Sequence, residues 1–352
     1  MTTVRVYRNT DAFAPALTGT AGSLTTVLDA VLVNGYGSQA PAGWTIGQTN
    51  TNQRQYINSP TDGTGLSIWI DDTAPGGGGG REARATGFES MSAPGAGSGQ
   101  FPTAAQLPIG IGATVIRKSN TADTTARKWT VVADDTCFYL FVETGDYTAP
   151  LAAMSFMFGD FFSYKAGDAY RCTIIGRNSE NTNSSLFETF TAFPSMNQSL
   201  LTATFGGHFV PRPWTGVGGS TPCGKHFDVV KMGGVSCSGG TGNSGTSILV
   251  NQANSNASFG ANYSAPAFFP YPNGPDGGLY LSPVWLHHSN AVRGYYKGLW
   301  APLHHLPLTH NDIYAGTGNM SGKTFLVQNV LMVTGSNGVP AQVHVEISST
   351  WS

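Results

Sequence analysis

Apolar residues at Leu24, Val27, Leu28, Val31 and Leu32 recur at intervals of three and four, which places all five along one side of a helix. The spacing predicts an amphipathic helix over about residues 20–34, with Thr20 or Ser23 as N-cap and Gly35 as its stop. Its stripe reads as core, so the helix is expected to lie on a sheet.

Elsewhere the period is two. "LSIWIDD" ends in a turn-forming acidic pair, "RKWTVVADDTCFYLFVET" reads as two strands around Asp134 and Asp135, and "AMSFMFGDFFSY" and "GDAYRCTIIGR" supply two more. Consecutive strands with short turns and little helical periodicity between them favour antiparallel sheet over a parallel βαβ arrangement. "KTFLVQNVLMVTGSNGVPAQVHVEISS" reads as a hairpin through "SNG", with Val343, Val345 and Ile347 alternating against Gln342, His344 and Glu346. In "CFYLFVE", which holds Phe138, Tyr139 and Phe141, both faces are apolar or aromatic. That strand is expected to be covered on both sides.

The fold class implied is mainly β: antiparallel, β-sandwich-like sheets with one N-terminal amphipathic helix and long Gly/Ser/Asn-rich loops. The longest loop candidate runs from about Gly206 to Pro283 and contains "GGVSCSGGTGNSG" and "VNQANSNASFGANYS". The chain divides into a β-rich part, residues 1–177, a loop-rich insertion or arm, 178–290, and C-terminal strands, 291–352, that complete the core; one domain overall is the alternative.

Composition narrows the partners. Charged residues make up 11% of the 352, with 46 glycines and 20 prolines, against roughly 25% charged in an ordinary soluble domain. Hydrophobics at 40% and aromatics at 11% argue for an ordered chain. Its surface is then covered by small polar residues or by neighbouring subunits. A net charge of −2 gives no basic footprint for nucleic acid and no cationic stripe for a membrane surface. No run of 18 apolar residues and no signal-peptide pattern is visible, so the chain is expected to be made in a cytoplasm. Cys137, Cys172, Cys223 and Cys237 contain no CxxC pair and read as buried thiols, a Cys223 to Cys237 bridge being the alternative.

Candidate chemistry is sparse. "GTGNMSGKT" misses the phosphate-loop spacing, and the segment after it, "FLVQNVLMV", reads as a strand where a phosphate loop needs a helix. "VWLHHSN" and "GLWAPLHHLPLTHND" concentrate the histidines, but His287–His288 and His304–His305 are adjacent pairs that point to opposite faces of a strand. His304, His310 and Asp312 are the metal-ligand candidates, in a two-histidine, one-carboxylate set. The reading preferred is that His304 and His305 brace the fold or a subunit contact beside Trp300 and Pro302. No GxSxG element is present. The acidic candidates for glycoside hydrolysis, Asp71, Asp72, Asp134, Asp135, Glu143, Asp146 and Asp160, mostly sit at apparent turns, which short Asx turns explain.

Four blocks resemble one family. "VYRNTDAFAPALTGTAGSLTTVLDAVLVNGYGSQAPAGWT", "VIRKSNTADTTARKWTVVADDTCFYLFVET", "FMFGDFFSYKAGDAYRCTIIGR" and "RGYYKGLWAPLHHLPLTHNDIYAGTGNMSGKTFLVQN" are similar to virion structural proteins of tailed bacteriophages. The likeness covers about the first 45 residues, 115–177 and 293–351. It implies a multi-copy component that joins or decorates the tail, baseplate or neck, located in the virion, with other virion proteins and copies of itself as partners. It implies neither an enzyme nor a cofactor. The alternative is a receptor- or glycan-binding tail protein that meets a host surface glycan through residues 206–283.

Overall fold

The computed structural model describes residues 3–106, 111–148, 150–177, 180, 207–218, 221–222, 224–226, 281–288, 291–302, 308–332 and 339–351. Cys137–Glu143, the strand apolar on both faces, sits in the interior of a seven-stranded central sheet. The order is Arg5–Arg8, Lys128–Ala133, Cys137–Glu143, Met154–Asp160, Cys172–Gly176, Gly207–Val210 and Thr221–Pro222. Alternation along the strand then sends consecutive side chains into two different cores. Phe138, Leu140 and Val142 join one, and Cys137, Tyr139 and Phe141 join the other.

The first core is closed by the predicted helix and by a five-stranded sheet ordered Thr45–Asn50, Gln53–Ile57, Ser67–Asp71, Glu82–Phe88 and Thr114–Arg117. The second is closed by a C-terminal sheet ordered Gly224–His226, Leu281–His288, Ala291–Pro302, Val339–Glu346, Thr324–Met332 and Ile313–Ala315. A two-residue strand, Phe162–Ser163, adds to Ala291–Pro302. The ladders between these strands are antiparallel throughout. The architecture is a mainly β, sandwich-like stack in which the central sheet is shared.

The helix is α over Ser23–Leu28 and continues through wider π turns over Asp29–Asn34, ending at Gly35 with φ 76°. All five stripe residues are fully buried. Its start differs from the expectation. Neither Thr20 nor Ser23 is the N-cap: that position is Gly22, at φ 82°, with no side-chain cap. The carboxylate of Asp72 takes the role from another layer, accepting the Leu24 amide at 2.7 Å and the Thr25 amide at 3.4 Å through Oδ2. The other oxygen, Oδ1, pairs with Lys118 Nζ, and both side chains are fully buried.

His344 and Glu346, which alternate with apolar residues in sequence, are 0% and 1% exposed, because the second face of the C-terminal hairpin carries its own polar cluster. Tyr314 Oη and His344 Nδ1 share a 2.5 Å hydrogen bond, and Lys323 Nζ donates to both oxygens of Glu346 at 2.9 and 3.0 Å. The turn residues of "SNG" lie outside the described residues. Within the stretch read as an insertion, Gly207–Val210 and Thr221–Pro222 extend the central sheet, and Gly224–His226 and Leu281–His288 build the C-terminal one. These strands are short or Gly- and His-bearing, so a period-two signal is weak there.

Candidate functional site

Within the histidine-rich stretch, the described side chains of Trp300, His310 and Asp312 do not converge on one centre. His304 and His305 lie outside the described residues, as do Cys223 and Cys237. Pro302 ends Ala291–Pro302, with its backbone opposite Leu281. Trp300 braces the sheet: its ring meets Phe325 edge-on at 6.2 Å, Lys323 Nζ stands 5.5 Å from its centroid, and its Nε1 donates to Glu346 at 3.4 Å. Asp312 Oδ2 accepts the Thr309 amide at 2.6 Å, a turn contact. His310 faces elsewhere, its Nδ1 accepting the Asn329 amide at 3.0 Å and its Nε2 lying 3.6 Å from Glu143 Oε1. Among the described residues no group of three or more His, Cys, Asp or Glu is placed to hold a metal. Phe138, Tyr139 and Phe141 are all within the chain's own two cores, and Tyr139 Oη donates to the Lys297 carbonyl at 2.6 Å. In this chain they brace the stack.

Asx turns account for part of the carboxylate set. Asp71 Oδ1 accepts from Thr73, and Asp134 Oδ1 accepts the amides of Thr136 and Cys137 at 2.8 and 2.7 Å. Asp146 receives Arg117 at 2.9 Å. Asp72 and Asp160 are not turn residues; both are fully buried. Asp160 Oδ1 accepts Asn58 Nδ2 at 2.8 Å and Thr64 Oγ1 at 2.7 Å, and burial outweighs these bonds, pushing its carboxyl up to about 6 from the ordinary 3.8.

That shift carries a pH dependence. Between those two values the folded chain keeps a proton that the unfolded chain releases, so Asp160 favours folding most in acid and loses that effect as pH rises through about 6. Measured by urea unfolding, the stability of the wild type relative to Asp160→Asn is expected to fall by about 2–3 kcal/mol between about pH 4 and pH 7. A difference that is flat with pH contradicts the assignment.

Glu143 and His310 share the wall of a cleft of about 320 Å3 at the seam between the central and C-terminal sheets. Arg8 and Asn9 enter it from the edge strand of the central sheet, Lys128 and Glu143 from the next two, and Asn311 and Gln328 from the C-terminal sheet and its leading turn. Lys128 Nζ is 3.3 Å from Glu143 Oε2. Burial would raise the Glu143 carboxyl, but the neighbouring His310 and Lys128 outweigh it and hold the group below the usual carboxylate range. Gln328 is fully buried, with Nε2 donating to Asn311 Oδ1 at 2.8 Å and to the Val327 carbonyl at 3.0 Å. Its Oε1 is buried and has no hydrogen-bond partner among the described residues. None of this was legible from local motifs, because the lining comes from segments more than 100 residues apart.

A second feature lies on the surface. Tyr164, Trp214 and Val217 are 62%, 51% and 74% exposed, in a chain whose large aromatic residues are otherwise mostly internal among the described residues. Lys165 Nζ donates to the Trp214 carbonyl at 2.5 Å, which ties Tyr164 and Trp214 to one patch. Tyr164 also lies 6.0 Å from Tyr295, which packs on Phe162 at 5.1 Å. Arg212 borders the patch, held by Glu89 through two 2.6 Å bonds and stacked 4.6 Å over Tyr170.

No protein-family model matches the chain, and no curated protein matches it.

Proposed function

We propose that this chain is a structural protein of a tailed-bacteriophage virion, a multi-copy component of tail, baseplate or neck that acts through subunit contacts and performs no catalysis. The observation that carries the reading is the exposed aromatic patch of Tyr164 and Trp214 with Val217, on the turns that follow the strands Phe162–Ser163 and Gly207–Val210. Aromatic residues held out in water on a firm base are the usual material of a protein interface. The sparse charge of the whole chain and the uncharged edge strand Thr45–Asn50, "TIGQTN", offer little of the protection that keeps sheets from associating. The resemblance in sequence blocks supplies the virion as the setting.

A receptor- or glycan-binding role is the second reading, favoured by the position of Trp214 and Val217 within residues 206–283. Sedimentation velocity separates the two. The isolated chain is expected to self-associate with rising concentration, and Tyr164→Ser with Trp214→Ser is expected to weaken this at least roughly tenfold, since aromatic anchors supply a large share of interface energy. A clean monomer at every concentration, with sugar binding lost in the same double variant, favours the second reading.

A further inference from the structure

We propose that the cleft between Arg8, Glu143 and Gln328 is a binding site for one acidic sugar unit, a hexuronate or a similar carboxylate-bearing saccharide. The proposal goes beyond the assembly role and rests on the cleft alone.

The unmatched polar groups define the ligand. Gln328 cannot turn its amide to satisfy Oε1, because Nε2 is fixed by two acceptors, Asn311 Oδ1 and the Val327 carbonyl. A buried acceptor without a donor costs about 1–3 kcal/mol, and this one belongs to a residue that lines open space. Oε1 itself is closed off from solvent, so a ligand hydroxyl that removes this cost reaches it by displacing the cleft wall. Donors are in surplus across the cleft. Asn9 and Asn311 use their side-chain oxygens on the Trp129 amide and on Gln328, and their amide nitrogens have no acceptor among the described residues.

Charge selects the acid over a neutral sugar. Lys128 is committed to Glu143, and Glu143 is further occupied by His310. Arg8 is held through its backbone, its amide donating to Asp11 Oδ2 at 2.9 Å and its carbonyl accepting the Asp11 amide at 3.1 Å; its guanidinium has no hydrogen bond or ion pair among the described residues. One planar cation, able to take a carboxylate through two parallel bonds, is therefore available beside hydroxyl-binding groups. The volume of about 320 Å3 lies at the small end of ligand sites and suits a single ring rather than an oligosaccharide.

Saturation-transfer NMR and titration calorimetry with sodium D-glucuronate, D-glucose and sodium acetate test this on the full chain. Glucuronate is expected to bind, with glucose and acetate each at least roughly tenfold weaker, because each lacks one half of the recognition. Arg8→Gln, which removes no side-chain hydrogen bond or ion pair made among the described residues, is expected to lower glucuronate affinity roughly tenfold while leaving the thermal midpoint unchanged. Gln328→Met, checked for folding by circular dichroism, is expected to reduce both glucuronate and residual glucose binding. No glucuronate binding, binding equal to that of glucose, or affinity unaltered in Arg8→Gln overturns the proposal.

Discussion

Lys118→Met is expected to destabilise the chain by about 3–5 kcal/mol, the loss typical when one partner of a buried ion pair is removed. Lys118 Nζ donates to Asp72 Oδ1, to the Thr20 carbonyl at 2.6 Å and to Ser23 Oγ at 3.2 Å. All three ammonium protons have acceptors. Asp72 answers with its second oxygen on the Leu24 and Thr25 amides, so the pair joins the end of Ser67–Asp71, the residue after Thr114–Arg117 and the start of the helix. Without the lysine, a carboxylate remains buried with only two amides to compensate it.

The sign of its pH dependence provides a check. Burial raises the Asp72 carboxyl, and Lys118 is the largest effect opposing that rise. In Lys118→Met only the Leu24 and Thr25 amides oppose the rise, so the variant's deficit is expected to shrink as pH falls and Asp72 takes up a proton in the folded state. Adding Asp72→Asn to Lys118→Met is expected to recover part of the loss at neutral pH, since the amide oxygen still caps the helix. Urea unfolding of the two variants against the wild type measures both effects. A single-variant loss under about 1 kcal/mol contradicts the pairing.

Leu140→Ala and Phe141→Ala, adjacent on one strand, are both expected to be severe, at about 2–5 and about 3–5 kcal/mol. Leu140 is fully buried in the helix-side core, whereas Phe141 is 2% exposed in the core facing the C-terminal sheet. In a sheet with one face in water, one member of any adjacent pair tolerates alanine within about 0.5 kcal/mol. Two large losses at neighbouring positions are the signature of a strand enclosed on both faces. Equilibrium unfolding of the two single variants is sufficient, and a small loss at either position argues against the shared central sheet.

What the sequence revealed and what it hid divide along the range of the interactions. The helix stripe from Leu24 to Leu32 and the two-faced strand at Phe138 to Phe141 are periodic signals, so they were legible together with the mainly β class. The helix cap was not, because the residue that supplies it, Asp72, lies 48 positions from Leu24. The burial of His344 and Glu346 was not legible either, because it rests on their pairing with Tyr314 and Lys323. The histidine count drew the metal candidates to His304, His310 and Asp312, yet His310 turns to Glu143, 167 positions earlier in the chain. Residue type announced polar chemistry there, but its partners are set by the sheet order.

The proposed membership of a virion in many copies is tested most directly by quantitative mass spectrometry of phage particles purified from cells that make the chain. Isotope-labelled standard peptides from Lys128–Lys165 and Gly294–Lys323 fix its abundance relative to the major capsid protein. The expected result is a constant ratio that corresponds to a small multiple of a ring symmetry, retained through density-gradient purification. A chain abundant in the infected-cell lysate but absent from the purified particles contradicts a structural role in the virion.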